Sequence, residues 1–163
     1  MGNFFNISEI YQFAIKIEEN GEKFYREVAG KTKDKEVKDL FLFLADEEVR
    51  HKKIFEENLS KIEKYEPPEA YPGEYFAYLR KYAEELIFTK GIEKEMGKED
   101  VIDAINFGIR RELDSIMYYL EMKDLIPETQ HLELDKIIKE EKSHFVRLSN
   151  LKQKFEKKEV SNE

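Results

Sequence analysis

The sequence predicts an all-α protein: one bundle of four long helices in which a single long crossover joins two helical hairpins. Three observations predict it. Only 7 Gly and 4 Pro interrupt 163 residues, 39% of which are charged; with Glu, Lys, Leu and Ile abundant, little in the chain opposes helix and much favours it. Apolar residues recur at spacings of three and four along four long segments, the signature of helices with one dry face. The segments fall into two pairs, each closed by a short turn, with an irregular stretch between them, which is the connectivity of a bundle with one crossover. A chain this long buries a real core as a single domain, assigned to residues 1–158.

The first helix begins at Asn6, an N-cap with Glu9 as its capping-box partner, and aligns Ile10, Ala14, Ile17, Gly21, Phe24 and Val28 on one face before Gly30 ends it. The second runs from about Asp34 to Tyr65 and stops before Pro67 and Pro68. Residues 66–98 form the crossover, with "PPEAYPGEY" as loop, "YFAYLRKYAEELIF" as a short helix, and breaks at Gly91 and Gly97. A third long helix covers Glu99 to Leu125 and is stopped by Pro127. The fourth runs from Glu128 to Lys157, and residues 159–163, "EVSNE", read as a disordered tail. The aromatics of the crossover, Tyr71, Tyr75, Phe76, Tyr78, Tyr82 and Phe88, suit either a cover for the bundle or a contact with a second chain, and a homodimer is the expectation, with or without exchange of helices through the long connection.

Charge and cysteine content exclude whole classes of function. A net charge of −8 with no basic stripe argues against a nucleic-acid partner. With no cysteine, disulfides, zinc-thiolate sites, thiol catalysis and iron–sulfur centres have no ligands here. There is no charged-then-apolar leader and no apolar run of about 18 residues to cross a membrane, so the expected setting is the cytoplasm.

The chain repeats itself. "AIKIEENGEKFYREVA" aligns with "GIRRELDSIMYYLEMK" on Glu18/Glu112 and Tyr25/Tyr119, and "ADEEVRHKKIFEENL" aligns with "IKEEKSHFVRLSNL" on Glu48/Glu141 and His51/His144. Glu18 precedes Glu48 by 30 residues and Glu112 precedes Glu141 by 29, which predicts two hairpins facing each other across a pseudo-twofold axis.

Within this repeat the dry stripes contain charge. Extending the spacing of Val37, Phe41 and Leu44 lands on Glu48, His51 and then Phe55; Glu18, Glu112, Glu141 and His144 interrupt the other three stripes in the same way. Burying one unpaired carboxylate costs several kcal/mol, and four converging carboxylates also repel one another. The stripes show no inward Lys or Arg, so the compensating charge is expected from metal: two divalent ions match four carboxylates, and neutral imidazoles complete the coordination. In Glu-x-x-His both side chains lie one turn apart on the same helix face and reach one ion. A single such tetrad on a Glu-rich helix is commonly accidental, whereas two in register, each following a stripe-facing Glu, are not. Glu22, Glu47 and Glu140 read as solvated charge, and His131, near the Pro127 turn, as a surface residue. Tyr25 and Tyr119 suit either core aromatics or hydrogen-bond donors to the carboxylates.

At "IEENGEKFYREVA", "FLADEEVRHKKIFEE", "RRELDSIMYYLEMKD" and "IIKEEKSHFVRLSNL" the sequence resembles the rubrerythrin-like branch of the ferritin-like superfamily, over all four long helices. A Glu from each of two helices with Glu-x-x-His from each of the other two is the general pattern of such di-iron carboxylate bundles. The resemblance implies two iron ions, in a ligand set that also suits manganese or zinc, with Glu18 and Glu112 bridging or nearly so, Glu48 and Glu141 bridging or terminal, and one of His51 and His144 per ion. Two departures stand out. The cysteine-rich rubredoxin domain of rubrerythrins proper has no counterpart in these residues, so electrons are expected from an external, rubredoxin-like donor protein. The extra glutamate that rubrerythrins carry one turn after the third-helix ligand is Ser115 here, which weakens a direct transfer of peroxidase activity. The leading expectation is a stand-alone di-iron redox protein reducing hydrogen peroxide or dioxygen. The alternatives are a ferroxidase serving iron storage or delivery, and a metal-stabilised structural or regulatory bundle without turnover.

Overall fold

The computed structural model describes residues 7–62, 77–78, 81 and 98–161. In chain order these form α1 (Ile7–Lys31), α2 (Lys35–Ile62), α3 (Lys98–Lys123), a single 3₁₀ turn (Glu128–Gln130) and α4 (His131–Val160), with no strand among the described residues. The chain is an all-α bundle.

Each helix lies where the apolar period places it, and the ends show what stops it. On α1 the buried residues Ile10, Ala14, Ile17, Gly21, Phe24 and Val28 make one continuous face. Asn6 lies outside the described residues. Gly30 does not end α1; the helix continues to Lys31, and the Thr32 amide still donates to the Val28 carbonyl at 3.0 Å. The break comes from Asp34, whose Oδ1 accepts the Val37 amide at 3.0 Å and so caps the start of α2. α3 ends two residues before the expected Leu125. There the Leu125 amide bonds the Met122 carbonyl at 3.0 Å, a tighter turn that tucks Leu125 and Ile126 into the core ahead of Pro127. At the other end of α4 the helix runs on through Val160, past the tail expected from residue 159, with the Ser161 hydroxyl donating to the Lys157 and Lys158 carbonyls at 3.2 Å.

Contacts between helices settle the topology. Tyr118 donates to the Ile10 carbonyl at 2.9 Å and Tyr25 to Glu112 at 2.5 Å, so rising numbers on α1 meet falling numbers on α3. Lys154 meets Glu36 and Glu140 meets Arg50, so α2 and α4 are antiparallel too. Because α1 and α2 form a hairpin, α2 finishes at one end of the bundle and α3 starts at the other. The end of α2 and the start of α3 are thus separated by about the length of the bundle, roughly 40 Å for a 28-residue helix. The short helix expected in the crossover lies largely outside the described residues; 77, 78 and 81 are helical, and Tyr78 is exposed.

Two apolar clusters occupy the two ends of the bundle interior. One gathers Ile10, Tyr11, Phe55, Tyr118, Met122 and Ile137; the other Phe24, Val28, Phe41, Leu44, Ile105 and Leu148. At about 1.5–3 kcal/mol for each large side chain fully buried, they offset what lies between them. What lies between is a belt of buried polar residues: Glu18, Glu48, His51, Arg111, Glu112, Ser115, Glu141 and His144.

Candidate metal centre

All six stripe-interrupting residues are in that belt. Glu18 comes from α1 and Glu112 from α3, while α2 brings Glu48 and His51, and α4 brings Glu141 and His144, one turn apart on the same face. Each is at least 95% buried. Their ligating atoms fall into two overlapping groups, Glu18, Glu48, His51 and Glu141, and Glu48, Glu112, Glu141 and His144, each with its atoms within 4.8 Å of one another. Glu48 and Glu141 belong to both groups. Glu141 shows why: its Oε1 lies 2.8 Å from His51 Nδ1 and its Oε2 lies 3.6 Å from His144 Nδ1. The shared positions are thus Glu48 and Glu141, whereas Glu18 and Glu112, implied by the resemblance as bridging, each belong to one group. The two imidazoles lie nearly parallel, with ring centroids 5.9 Å apart.

The residues fit a pair of metal ions on their own chemistry. His51 Nδ1, His144 Nδ1 and one oxygen each of Glu18, Glu112 and Glu141 are buried without a hydrogen-bond partner. Buried polar atoms are rarely left so. Here they cluster: His51 Nδ1 is 2.8 Å from Glu141 Oε1 without hydrogen-bond alignment, and it lies 3.6 Å from Glu18 Oε2 as His144 Nδ1 lies 3.7 Å from Glu112 Oε2, both too long for a hydrogen bond. Lone pairs aimed at shared positions are what ligation requires, and a carboxylate–imidazole set suits iron, manganese or zinc.

Tyr25 and Tyr119 are hydrogen-bond donors, and they act across the bundle. Tyr25 of α1 donates to Glu112 of α3 at 2.5 Å, and Tyr119 of α3 donates to Glu18 of α1. Each holds the outer oxygen of its carboxylate and leaves the other facing the centre. Burial raises both phenols well above the ordinary tyrosine value, so they remain protonated donors.

Three features of the site escaped the stripe pattern. The belt does contain a cation: Arg111 is 6% exposed, donates to the Ile17 carbonyl at 3.0 Å and keeps Nη1 unpaired. The repeat could have found it, because aligning Glu112 on Glu18 sets Arg111 against Ile17, a core residue. Gly21 makes room for it: a Cβ there would lie 2.5 Å from Glu48 Oε2 and 3.2 Å from Arg111 Nη2. Finally, Glu47 and Glu140 are not merely solvated, since their carboxylates approach the outer nitrogens of the two imidazoles. They too are repeat equivalents, each just ahead of a belt glutamate. His131 stays outside the belt, half-buried, with Nε2 3.1 Å from the Ile126 carbonyl.

Without metal, protons balance the belt. Burial, followed by repulsion from neighbouring carboxylates, pushes Glu48 and Glu112 well above the usual carboxyl range. Burial alone would also raise Glu141, but Glu112, His144 and His51 around it hold it well below. Burial opposes charge on the histidines, and the adjoining carboxylates overcome it, raising His51 well above its ordinary value and His144 to about 10.

The sign of the pH dependence follows. A histidine raised on folding stabilises the fold fully below its unfolded value near 6.5, and that contribution is lost as pH rises through the folded value. Glu48 and Glu112 act in the same direction from about pH 4.5 upward, and Glu141 acts oppositely only at lower pH. Each pK unit is about 1.4 kcal/mol, which moves the melting temperature of a chain this size by roughly 3–6 °C. Metal-free protein should therefore melt at least that much lower at pH 10 than at pH 6.5, and a flat profile would contradict the assigned proton balance.

Comparison with known proteins agrees with this geometry. A family model described as Rubrerythrin matches residues 9–152. A crystal structure of a candidate ferritin-like diiron-carboxylate protein from Thermotoga maritima is similar over 94% of this chain and 98% of its own, at 29% identity and a TM-score of 0.61. A hypothetical protein from Pyrococcus furiosus shares the fold over 93% of this chain and 90% of its own, at 21% identity and a TM-score of 0.69. The search of curated proteins gave no match. With the family's match extending over residues 9–152, which take in all six belt positions, this chain belongs to the rubrerythrin family.

Proposed function

We propose that this protein is a non-haem di-iron redox protein that reduces hydrogen peroxide or dioxygen with electrons from an external, rubredoxin-like donor. The observation that carries the reading is the pair of overlapping groups sharing Glu48 and Glu141, buried at mid-bundle with unpaired donor atoms facing one another. Glu18, Glu48, His51 and Glu141 would hold one ion, and Glu48, Glu112, Glu141 and His144 the other. When bound, two adjacent ferrous ions supply one electron each and Lewis acidity toward both oxygens of an O–O unit.

The rest is the work of the chain. Glu48 and Glu141 keep the two positions adjacent. Tyr25 and Tyr119 hold a proton at each hydroxyl beside the centre and orient Glu112 and Glu18. The flanking Phe41 and Phe55, both fully buried, keep bulk water from the belt and strengthen every electrostatic contact inside it. The 163 residues contain no cysteine to hold a second redox centre, which favours electron delivery from outside these residues.

The test is anaerobic loading with ferrous ion, followed by absorption spectroscopy as peroxide or oxygen is added. Near-ultraviolet absorption should grow with consumption of one peroxide for every two ferrous ions, two protons being taken up and two waters formed. Addition of a reductant should restore the starting spectrum. Iron-loaded protein inert to both oxidants would overturn the redox reading and leave a metal-stabilised bundle.

A further inference from the structure

We propose that Glu140 is a positioning residue for His51, its carboxylate accepting the Nε2 proton so that Nδ1 is turned toward the metal centre. The inference rests on the two-metal reading above.

The geometry is crossed. Glu140 lies on α4 directly before Glu141, yet its Oε2 is 2.8 Å from Nε2 of His51 on α2. Glu47 lies on α2 directly before Glu48, and its Oε2 is 3.7 Å from Nε2 of His144 on α4. Each helix thus carries a Glu-x-x-His pair and one carboxylate beside the other helix's imidazole, and Glu140 is the one at hydrogen-bond distance. Because an imidazole ligates through a nitrogen that carries no proton, an acceptor on the far nitrogen decides which one stays free, and the added negative charge makes the free one a better donor. His51 is fully buried, so no water competes for that proton, and Glu140 is the acceptor in reach.

Arg50 completes the arrangement. Its guanidinium donates to Glu47 at 2.6 Å and to Glu140 as well, spanning both carboxylates from the solvent side. Glu47, His51 and Glu140 could also be read as a third cation site. A guanidinium already resting on both carboxylates opposes that, and it supports a bracing role instead.

The test compares the parent with Glu140→Ala and Glu140→Gln, using zinc as the probe. In the parent, the His51 Nε2–H resonance should persist in ¹H–¹⁵N spectra of the metal-free and zinc-loaded forms, and in Glu140→Ala it should be lost to solvent exchange. Calorimetric titration should show one of the two zinc ions bound about 10–100-fold more weakly in Glu140→Ala. Glu140→Gln, which keeps an acceptor oxygen at the same reach, should recover most of that loss. The metal-free melting temperature should stay near the parent's in Glu140→Gln and fall by several degrees in Glu140→Ala, where a buried imidazole N–H loses its acceptor; a zinc loss confined to one of the two sites separates positioning from a general structural role. A parent that binds two zinc ions beside a Glu140→Ala variant that binds both equally tightly would overturn this proposal alone. A parent that binds no zinc would overturn the two-metal reading and this proposal with it.

Discussion

Loading the metal-free protein with two equivalents of ferrous or zinc ion should raise its melting temperature by roughly 8–16 °C for each site held at a thousand times its Kd, and Glu48→Ala or Glu141→Ala should remove most of that gain. The magnitude follows from linkage. An ion that binds only the folded state at that concentration stabilises by about 4 kcal/mol, and each kcal/mol moves a chain of this size by roughly 2–4 °C. The unfolded chain has no such site, because the six candidate ligands come from four helices and meet only in the bundle. Glu48 and Glu141 matter most because both groups contain them; losing either degrades both positions. His51→Ala removes a ligand from one group and should cost one ion, leaving about half of the thermal shift. Metal content by elemental analysis, read beside the melting curves, checks the assignment. Equal metal in the parent and in either glutamate variant would sink it.

The second large effect is expected from a single methyl group. Gly21→Ala should leave the metal-free fold intact and abolish at least half of the metal-induced shift. Its Cβ would sit 2.5 Å from Glu48 Oε2 and 2.9 Å from Cδ, closer than such atoms approach. The α1 backbone is held by its hydrogen bonds and by the packing of Ala14, Ile17 and Phe24, so it does not give way. The end of the Glu48 side chain is what can move, and moving it takes a shared carboxylate away from both positions. Replacing a mid-helix glycine by alanine meanwhile favours the helix by about 1 kcal/mol. Fold and site should therefore respond in opposite directions, which a merely destabilising substitution cannot do. Gly30→Ala supplies the control: a Cβ there meets nothing within 4 Å, so it should bring the helix gain without the metal loss. A Gly21→Ala protein that keeps the full metal-induced shift would show that the Glu48 position does not matter.

Much of this protein is legible one helix at a time. The spacing of Ile10, Ala14, Ile17, Phe24 and Val28 marks the buried face of α1, and all five are buried. The same spacing exposes Glu18, Glu48, His51, Glu112, Glu141 and His144 as charge in dry positions, and the repeat shows they are placed deliberately in both halves. Arg111 was legible only through the repeat, since it follows Arg110 in a charged run and looks solvated until it is aligned with Ile17. Glu47 and Glu140 were legible as a repeated pair but not as neighbours of the imidazoles. Their partners sit on another helix, 89 residues from Glu140 and 97 from Glu47.

By itself, then, the sequence determined that four amphipathic helices form, which face of each is buried, and that six ionisable side chains interrupt those faces. Helix period, capping and side-chain spacing are local properties, carried by residues three and four apart. Only the tertiary structure decided who meets whom: that Glu48 and Glu141 are the shared carboxylates, that Tyr25 serves Glu112 and Tyr119 serves Glu18, that Gly21 opens a place for Glu48 and Arg111, and that Glu140 rests on His51. Those pairings depend on the axial register and rotation of one helix against another. Packing of all four helices together sets both, and no window along a single helix encodes either.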